Sequence, residues 1–581
     1  MKKINKAIAL SVVSLLAFTT TGCLEEALPT GNTQTADQVK HADKSSFLLA
    51  IPAYMTTYST NYQYDTGFSG FGVMRDVMTT DLPVYDYTFD YFADFGYMDY
   101  LGNYPLQTLF WRRYYYLLQK ANSVISVCDR DPEGEDGVAL GTALTYRAMV
   151  YMDLMRLYEY KSTGVARLDE YAETNGLYGL TVPLITESTT EAESRNLPRD
   201  PFEHMWRFIM TDLNDAETGL RNTHTVSSKD MITLGVVYGM KARLWLEIAT
   251  RLYLHADDLA AVINAESNPD YDDVDKLNIR TADECYEQAA LYARKSINEG
   301  YTPVTTNEWY DPTSGFNTPN NSWMWCIIVN SNNGLASNLT WQSIPSYLAP
   351  EATYGVSYYV YAGYRMIDAR LFSEMNVNDW RRDTWIDPTE VADETAFNTK
   401  YAKTTQFDFD EWSNYKAYCG FKFHPAQGAM DVSTTGNTTC TPLMRIEEMY
   451  LIEAEATAHC QGAGAGKQLL ENFMNTYRMK PGTNYVCPGA GLEDVVDDVF
   501  RQKRIEFWGE GIIMWDYKRL EKAVTRGYPG TNHLEQYRFN SYPEKVAPWM
   551  TLYIPDRVFQ LNPACKLNPD PTLAIPDVWQ E

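Results

Sequence analysis

Two glutamates four residues apart, Glu506 and Glu510, sit in the stretch RIEFWGEGIIMWDYKRL (504–520), with Asp516, Lys518 and Arg519 close behind. On a continuous helix that spacing stacks both carboxylates on one face. Two carboxylates facing each other across a cleft are the machinery of glycoside hydrolysis, one as acid and the other as nucleophile or base. The same pattern arises where acids and bases lock a helix onto its neighbours. With 76 Asp and Glu in 581 residues, nothing in the pattern itself selects a catalytic pair.

Other chemistries find less support. The seven histidines are all more than five residues apart, so no HExxH or similar zinc spacing occurs. GFSGFG (67–72) lacks the G-x-S-x-G register and the strand-to-helix context of a nucleophile elbow. QGAGAGKQ (461–468) has Gln461 where a phosphate loop needs its first Gly and Gln468 where it needs Ser or Thr, and it follows a helical pattern. It reads as a turn between helices. DPEGEDG (131–137) and NPDYDDVDK (268–276) offer carboxylates to an adventitious calcium ion but miss the EF-hand register. Beyond Cys23, eight cysteines remain, none in a CxxC pair. They permit disulfides without fixing a connectivity, and isolated buried thiols fit equally.

Composition bounds the rest. Apolar residues make up 45% and aromatics 14%, with 43 Tyr and 14 Trp. Tyr and Trp stay useful half-exposed, with an apolar face and a polar tip. A formal net charge of −27 argues against nucleic acid or anionic lipid headgroups as direct partners. At the N-terminus, Lys2, Lys3 and Lys6 precede the uncharged run Ala7–Phe18, which is too short to span a bilayer but suits a signal sequence. Gly22-Cys23 follows, in the position of a bacterial lipobox, although Thr20 stands where Leu is usual. That makes 1–22 a signal peptide and Cys23 a lipidated terminus. Residues 23–45 read as a polar tether and 46–581 as one α-rich domain, with a helical N-terminal part to about residue 300.

The elements that must position any site are mainly helical. Leu144, Ala148, Tyr151, Leu154, Met155 and Tyr158 share one face at helical spacing, and so do Val237, Leu244, Ile248 and Leu252, with the Lys241 stem along that stripe. Two more helices are predicted over 283–301, capped by Gly300, and over 443–459. Small residues alternating with Tyr and Leu suit paired helices of the tetratricopeptide type, without a strict repeat. The best strand is SWMWCIIVNS (322–331). Long aromatic loops cover 59–104, 159–182, 301–322, 331–365 and 376–440, and loops on a rigid scaffold are where binding usually lives.

Several segments together resemble the SusD/RagB family of Bacteroidota outer-membrane lipoproteins, over nearly the whole chain. They are GTALTYRAMVYMDLMRLY with VPL (182–184), carrying Arg147 and Ala148 and an insertion between Tyr158 and Val182, then PLMRIEEMYLIEAEA (442–456), FRQKRIEFWGEGIIMWDYKRL (500–520) and LYIPDRVFQLNP (552–563). Gln502, Ile513 and Leu520 depart from the family pattern of Glu, Arg and Trp. Glu25 and Glu26 after the cysteine are similar to a surface-export signal of such lipoproteins. The resemblance implies a mainly α fold with tetratricopeptide-like helix pairs, long irregular loops and few short strands. It implies a cell-surface lipoprotein that binds a nutrient, glycan or peptide, as a lid on a SusC-like TonB-dependent barrel, without catalysis or cofactor. It also makes Arg504, Glu506, Glu510, Asp516 and Arg519 structural, with Phe507, Trp508 and Trp515 as their apolar contacts.

Sugar rings present C–H faces to aromatic platforms and hydroxyls to planar polar groups. Three loops combine the two: Asn307, Trp309, Tyr310 and Asp311; Trp341, Gln342 and Tyr347; and Asp81, Tyr85 and Tyr87. Each aromatic can instead pin its loop to the helices. Three readings follow: a surface glycan-binding protein, a peptide-binding lid of the same fold, and an enzyme of unknown class such as a glycoside hydrolase.

Overall fold

The Ala- and Leu-rich periodic stretches fold as helices that pack largely in chain order. The computed structural model describes residues 44–58, 65, 67–84, 92–96, 100–330, 365–405, 408–413, 415–424, 428 and 439–580. Its longer helices are α1 (Ser45–Met55), α2 (Phe68–Val77), α3 (Pro105–Ile125), α4 (Gly137–Tyr158), α5 (Phe202–Gly219), α6 (Leu234–Leu254) and α7 (Ala282–Ile297). After a long irregular stretch come α8 (Ile446–Cys460), α9 (Ala463–Tyr477), α10 (Leu492–Glu506) and α11 (Ile513–Arg519). Helix α3 packs on α4, α4 on α5, α6 on α7, and α7 on α8, which also holds α9 and α10. This is the layered helix pairing that the small-residue pattern predicts. Residues 45–581 cluster as one compact unit. Among the described residues no helix is long and apolar enough to cross a membrane.

Local chemistry sets the helix ends. Thr233 and Thr281 accept backbone N–H bonds at the starts of α6 and α7, and Pro105 opens α3 where a missing N–H does no harm. In α7, Asp283 and Glu284 sit in the first turn and Arg294 and Lys295 in the last, matching the helix dipole. That helix ends at Ile297, before its expected limit, with Gly300 at φ 91 just beyond. Lys241 is buried along its stem, as expected, and its ammonium meets Glu217 and the Tyr292 ring.

The helix predicted over 443–459 starts three residues late. Thr441–Arg445 instead form strand β2, antiparallel to β1 (Trp323–Ile327), with an irregular register around Trp325. Pairing with β1 satisfies those backbone groups in extended form, and Ile446 N–H donates to Ser322 O at 2.9 Å, so the helix begins only there. β1 is buried at every position, which its unbroken apolar run reflects.

Only Gln461 and Gly462 of QGAGAGKQ form the expected turn between α8 and α9; Ala463–Gln468 are already the start of α9. Gly462 takes φ 98, and Lys467 donates to the carbonyls of Cys487 and Gly489 at 2.8 Å each. All eight cysteines beyond Cys23 are free thiols. A Cβ on Gly466 would lie 2.4 Å from the Cβ of Ala458 and 2.5 Å from the carbonyl of Ala454, so this glycine sets how closely α9 approaches α8. Gly466→Ala is expected to push the two helices apart and destabilise the fold by about 1–3 kcal/mol, read by urea unfolding. An unchanged midpoint would mean the pair is loosely packed.

Candidate ligand site and the buried charge network

Glu506 and Glu510 are not one turn apart on a helix. Helix α10 ends at Glu506, and a turn follows with Gly509 and Gly511 at φ 79 and 77. A Cβ at Gly511 would fall 2.1 Å from the Cα of Gly72, so the turn lies backbone against backbone on α2. Arg75 Nε donates to Gly511 O at 2.6 Å, and Gly511 N–H donates to Asp76 at 2.9 Å. The turn wraps both carboxylates around Arg445, the last residue of β2.

Arg445 Nε and Nη2 donate to Glu510 at 2.8 Å each, while Nη1 and Nη2 reach Glu506 at 3.1 Å. Arg478 and Arg381 each donate to Glu506 at 2.8 Å, and Lys422 donates to Glu510 at 2.5 Å. Glu447 joins Arg478 and Arg445, and Asp379 joins Arg381. Four acids and four bases therefore meet, all with nearly inaccessible side chains. Burial alone would push the Glu506 carboxyl up. The guanidiniums of Arg478, Arg445 and Arg381 outweigh it and hold Glu506 well below the usual carboxylate range. Burial drives Lys422 down to about 8 against the pull of Glu510. Both carboxylates are engaged by these cations in the interior.

The other motif residues divide between two further clusters. Arg519 donates to Glu455 at 2.6 Å and Asp516 at 2.5 Å, and Lys503 bridges the same two acids at 3.1 Å. Arg504 holds Asp81 at 2.5 Å, and Tyr517 donates to the same oxygen at 3.0 Å. Phe507, Trp508 and Trp515 are buried around them. In α4, Arg147 clasps Asp212 with two bonds of 2.6 and 2.7 Å and reaches Glu187 at 2.6 Å. Arg381, Lys422, Arg445, Glu447 and Arg478 have no periodic signal to betray them. The only hint in the sequence is a charge inside an otherwise apolar run, as in PLMRIEE.

Two of the residues singled out as ligand platforms are in the core. Trp309 is 0% exposed, donates from Nε1 to Thr384 at 3.0 Å and packs edge-on to Phe316 and Trp380. Lys422 Nζ lies 4.9 Å from its ring centroid. Tyr310 is buried and donates to the carbonyl of Trp380. Asp81 is enclosed with Arg504. These three groups are already partnered inside the protein and offer no free face to a ligand. Asn307 is exposed on the short helix Thr306–Tyr310, and Asp311 closes a turn by accepting from Thr313 and Ser314. Tyr85, Tyr87, Trp341, Gln342 and Tyr347, like Cys23, lie outside the described residues. Among the described residues no group of three or more His, Cys, Asp or Glu is placed to hold a metal ion.

The SusD family model matches residues 327–566, which take in β2, α8 to α11 and most of this charge network. Residues 327–566 are thus similar to the SusD family, and the likeness of fold extends beyond them. Among solved structures it is similar to a SusD-like carbohydrate binding protein from Bacteroides vulgatus, at 18% identity and a TM-score of 0.62, over 90% of this chain and 96% of that one. A SusD superfamily protein from Bacteroides thetaiotaomicron gives 17% identity and 0.60, over 92% and 100%. A laminarin binding SusD-like protein gives 15% identity and 0.58, over 90% and 98%. No curated protein matches the chain.

The described flanks of the segments that bear Tyr85 and Trp341 meet. Val84, just before Tyr85, pairs antiparallel with Arg365, just after the stretch that holds Trp341 and Tyr347. Gly420 N–H donates to Arg365 O at 3.0 Å, and Cys440 N–H to Asn317 O at 3.0 Å. Asp81, three residues before Val84, is the acid gripped by Arg504. The motif around α10 therefore anchors the flank that leads to Val84.

Glu510→Ala strands Lys422 and Arg445 without their carboxylate in a dry interior. The expected loss is about 3–5 kcal/mol, read by urea unfolding and by folding yield, with the ligand affinity of the folded fraction unchanged. A stable, folded variant that no longer binds would contradict this. A second expectation concerns acid. The folded Glu506 carboxyl lies below its unfolded value of roughly 4.3, so its contribution is complete above that pH and is lost as pH falls through the folded value. Asp516 has the same sign: burial opposes its charge, but Lys503 and Arg519 hold it at about 2. The urea midpoint should fall steeply below about pH 4, and equal midpoints at about pH 6 and about pH 3 would refute the assignment.

Proposed function

We propose that this chain is a cell-surface lipoprotein, anchored through Cys23, that captures an oligo- or polysaccharide and hands it to a SusC-like TonB-dependent barrel without cleaving it. The observation that carries this reading is kinship in fold, along nine-tenths of the chain, with a protein described as carbohydrate binding and another described as laminarin binding. The shared root of the loops bearing Tyr85, Tyr87, Trp341, Gln342 and Tyr347 supports it, because it brings the bases of both loops together. Burial of Glu506 and Glu510 removes the acid pair that most resembled a hydrolase site.

The chain without residues 1–23 is the material for the test, in an affinity screen against plant and host polysaccharides. Binding without release of reducing ends is expected. Trp341→Ala should weaken the best ligand about tenfold, the loss of one stacked ring being worth about 1–3 kcal/mol, with an unchanged melting temperature. Trp309→Ala should instead lower stability by about 3–5 kcal/mol, as removal of a core indole does. Peptide hits with no glycan hits would replace this reading with peptide capture, which a net charge of −27 would bias towards basic sequences. Turnover of a polysaccharide by the pure chain would overturn it.

A further inference from the structure

A cavity of about 510 Å³ opens where the C-terminal ends of α6 and α8 meet the start of α10 and the turn after α11. None of the residues lining it flanks the loops whose roots meet at Val84 and Arg365. Its size suits a small molecule or an inserted side chain. One wall is aromatic. His459 stacks on Tyr286 with centroids 3.9 Å apart and planes 6° apart. Tyr253, which also lines the cavity, meets His459 at 4.8 Å and 77° and is 46% exposed. Leu492, Val496, Leu520 and Pro543 complete an apolar floor.

The polar lining is unbalanced. Glu493, Asp497, Glu521 and Glu544 face the cavity against Lys522, Lys545 and His255. Asp497 is paired with Lys522 at 2.6 Å and Glu521 with His255 at 2.5 Å. The Lys545 charge acts on Glu521. Glu493 and Glu544 have no ion-pair partner among the described residues and are exposed. His459 adds no positive charge, since burial drives its imidazolium down to about 4. The positive end of α10 is already met by Glu493 and Asp494, so the cavity is not an anion site. Glu521 and Glu544 also hold left-handed backbone at φ 51 and 54, where glycine would be the less strained residue. At both positions the chain keeps a carboxylate despite that strain.

An exposed aromatic ring beside two carboxylates that have no ion-pair partner among the described residues is the chemistry that recognises an organic cation. A neutral sugar would use the ring but leave both charges unmatched. We propose that this cavity docks a cationic side chain, an arginine or lysine presented by a basic peptide segment, over Tyr253 and within reach of Glu493 and Glu544. The site is independent of the glycan loops, and its failure leaves the proposed function untouched.

Tri-arginine is the probe, titrated calorimetrically into the chain without residues 1–23. Tri-glycine and a laminarin oligosaccharide serve as comparisons. Tri-arginine should bind, and tri-glycine should not. Tyr253→Ala and the double variant Glu493→Gln/Glu544→Gln should each weaken it roughly tenfold, with the fold retained by circular dichroism. Trp341→Ala should leave it as it was. Equal binding by the double variant would assign the affinity to the overall charge of −27 and overturn the proposal. So would no binding at all, or displacement of tri-arginine by the oligosaccharide.

Discussion

The guanidinium of Arg445 is the point on which the C-terminal half depends. It ends β2, begins α8, and spans the two carboxylates that the turn after α10 brings together. Taking a charge out of water is unfavourable by several kcal/mol per ion, and only full pairing offsets that. The network meets the condition with four acids and four bases, and the spare donors of Lys422 go to the carbonyls of Glu506 and Trp508 at 2.8 and 2.9 Å. Gln502 fits the same balance. Its side-chain oxygen accepts from Arg381 at 2.6 Å without adding a fifth negative charge.

From that hub the order spreads outward through specific side chains. Lys422 joins Glu510 to the face of Trp309, which fixes the segment 305–311. Arg478 reaches the carbonyl of Val304 at 3.2 Å, at the start of the same segment. Arg504 and Trp508 both bond Asp81, the first through its carboxylate and the second through its carbonyl at 3.0 Å. The helical layers thus pin the segments around Asp81 and 305–311 to the hub. The cavity lined by Tyr253 uses the other ends of the same helices, so the scaffold presents two unrelated surfaces.

Aromatic residues illustrate how one residue type takes opposite roles. Trp309 lies among polar neighbours in the sequence, whereas Tyr253 sits between Leu252 and Leu254. Trp309 is enclosed because its N–H finds Thr384 and its faces find Phe316, Trp380 and Lys422. Tyr253, on the last turn of α6, meets rings on one side only and stays half-exposed. The difference comes from residues that are remote in the chain: Thr384 is 75 positions from Trp309.

Periodicity in the chain by itself determined the helical layers, because burial of one helical face depends on spacing within a few turns. Leu144 to Tyr158 in α4 and Val237 to Leu252 in α6 keep that spacing, although the tertiary structure buries both helices on nearly every side. The motif segments in order carried the resemblance to the SusD/RagB family, and Arg147, Glu506, Glu510 and Arg519 within them are buried charges whose replacement is strongly destabilising. Only the tertiary structure decided which charges pair. Arg445 stands 61 and 65 residues from its glutamates, and Arg504 stands 423 from Asp81, and no local rule couples such positions. The start of α8 was settled the same way, because the backbone of Thr441–Arg445 takes its form from β1, more than a hundred residues earlier. Spacing could place Glu506 and Glu510 near each other; the glycine turn packed on α2 made them a clamp on Arg445.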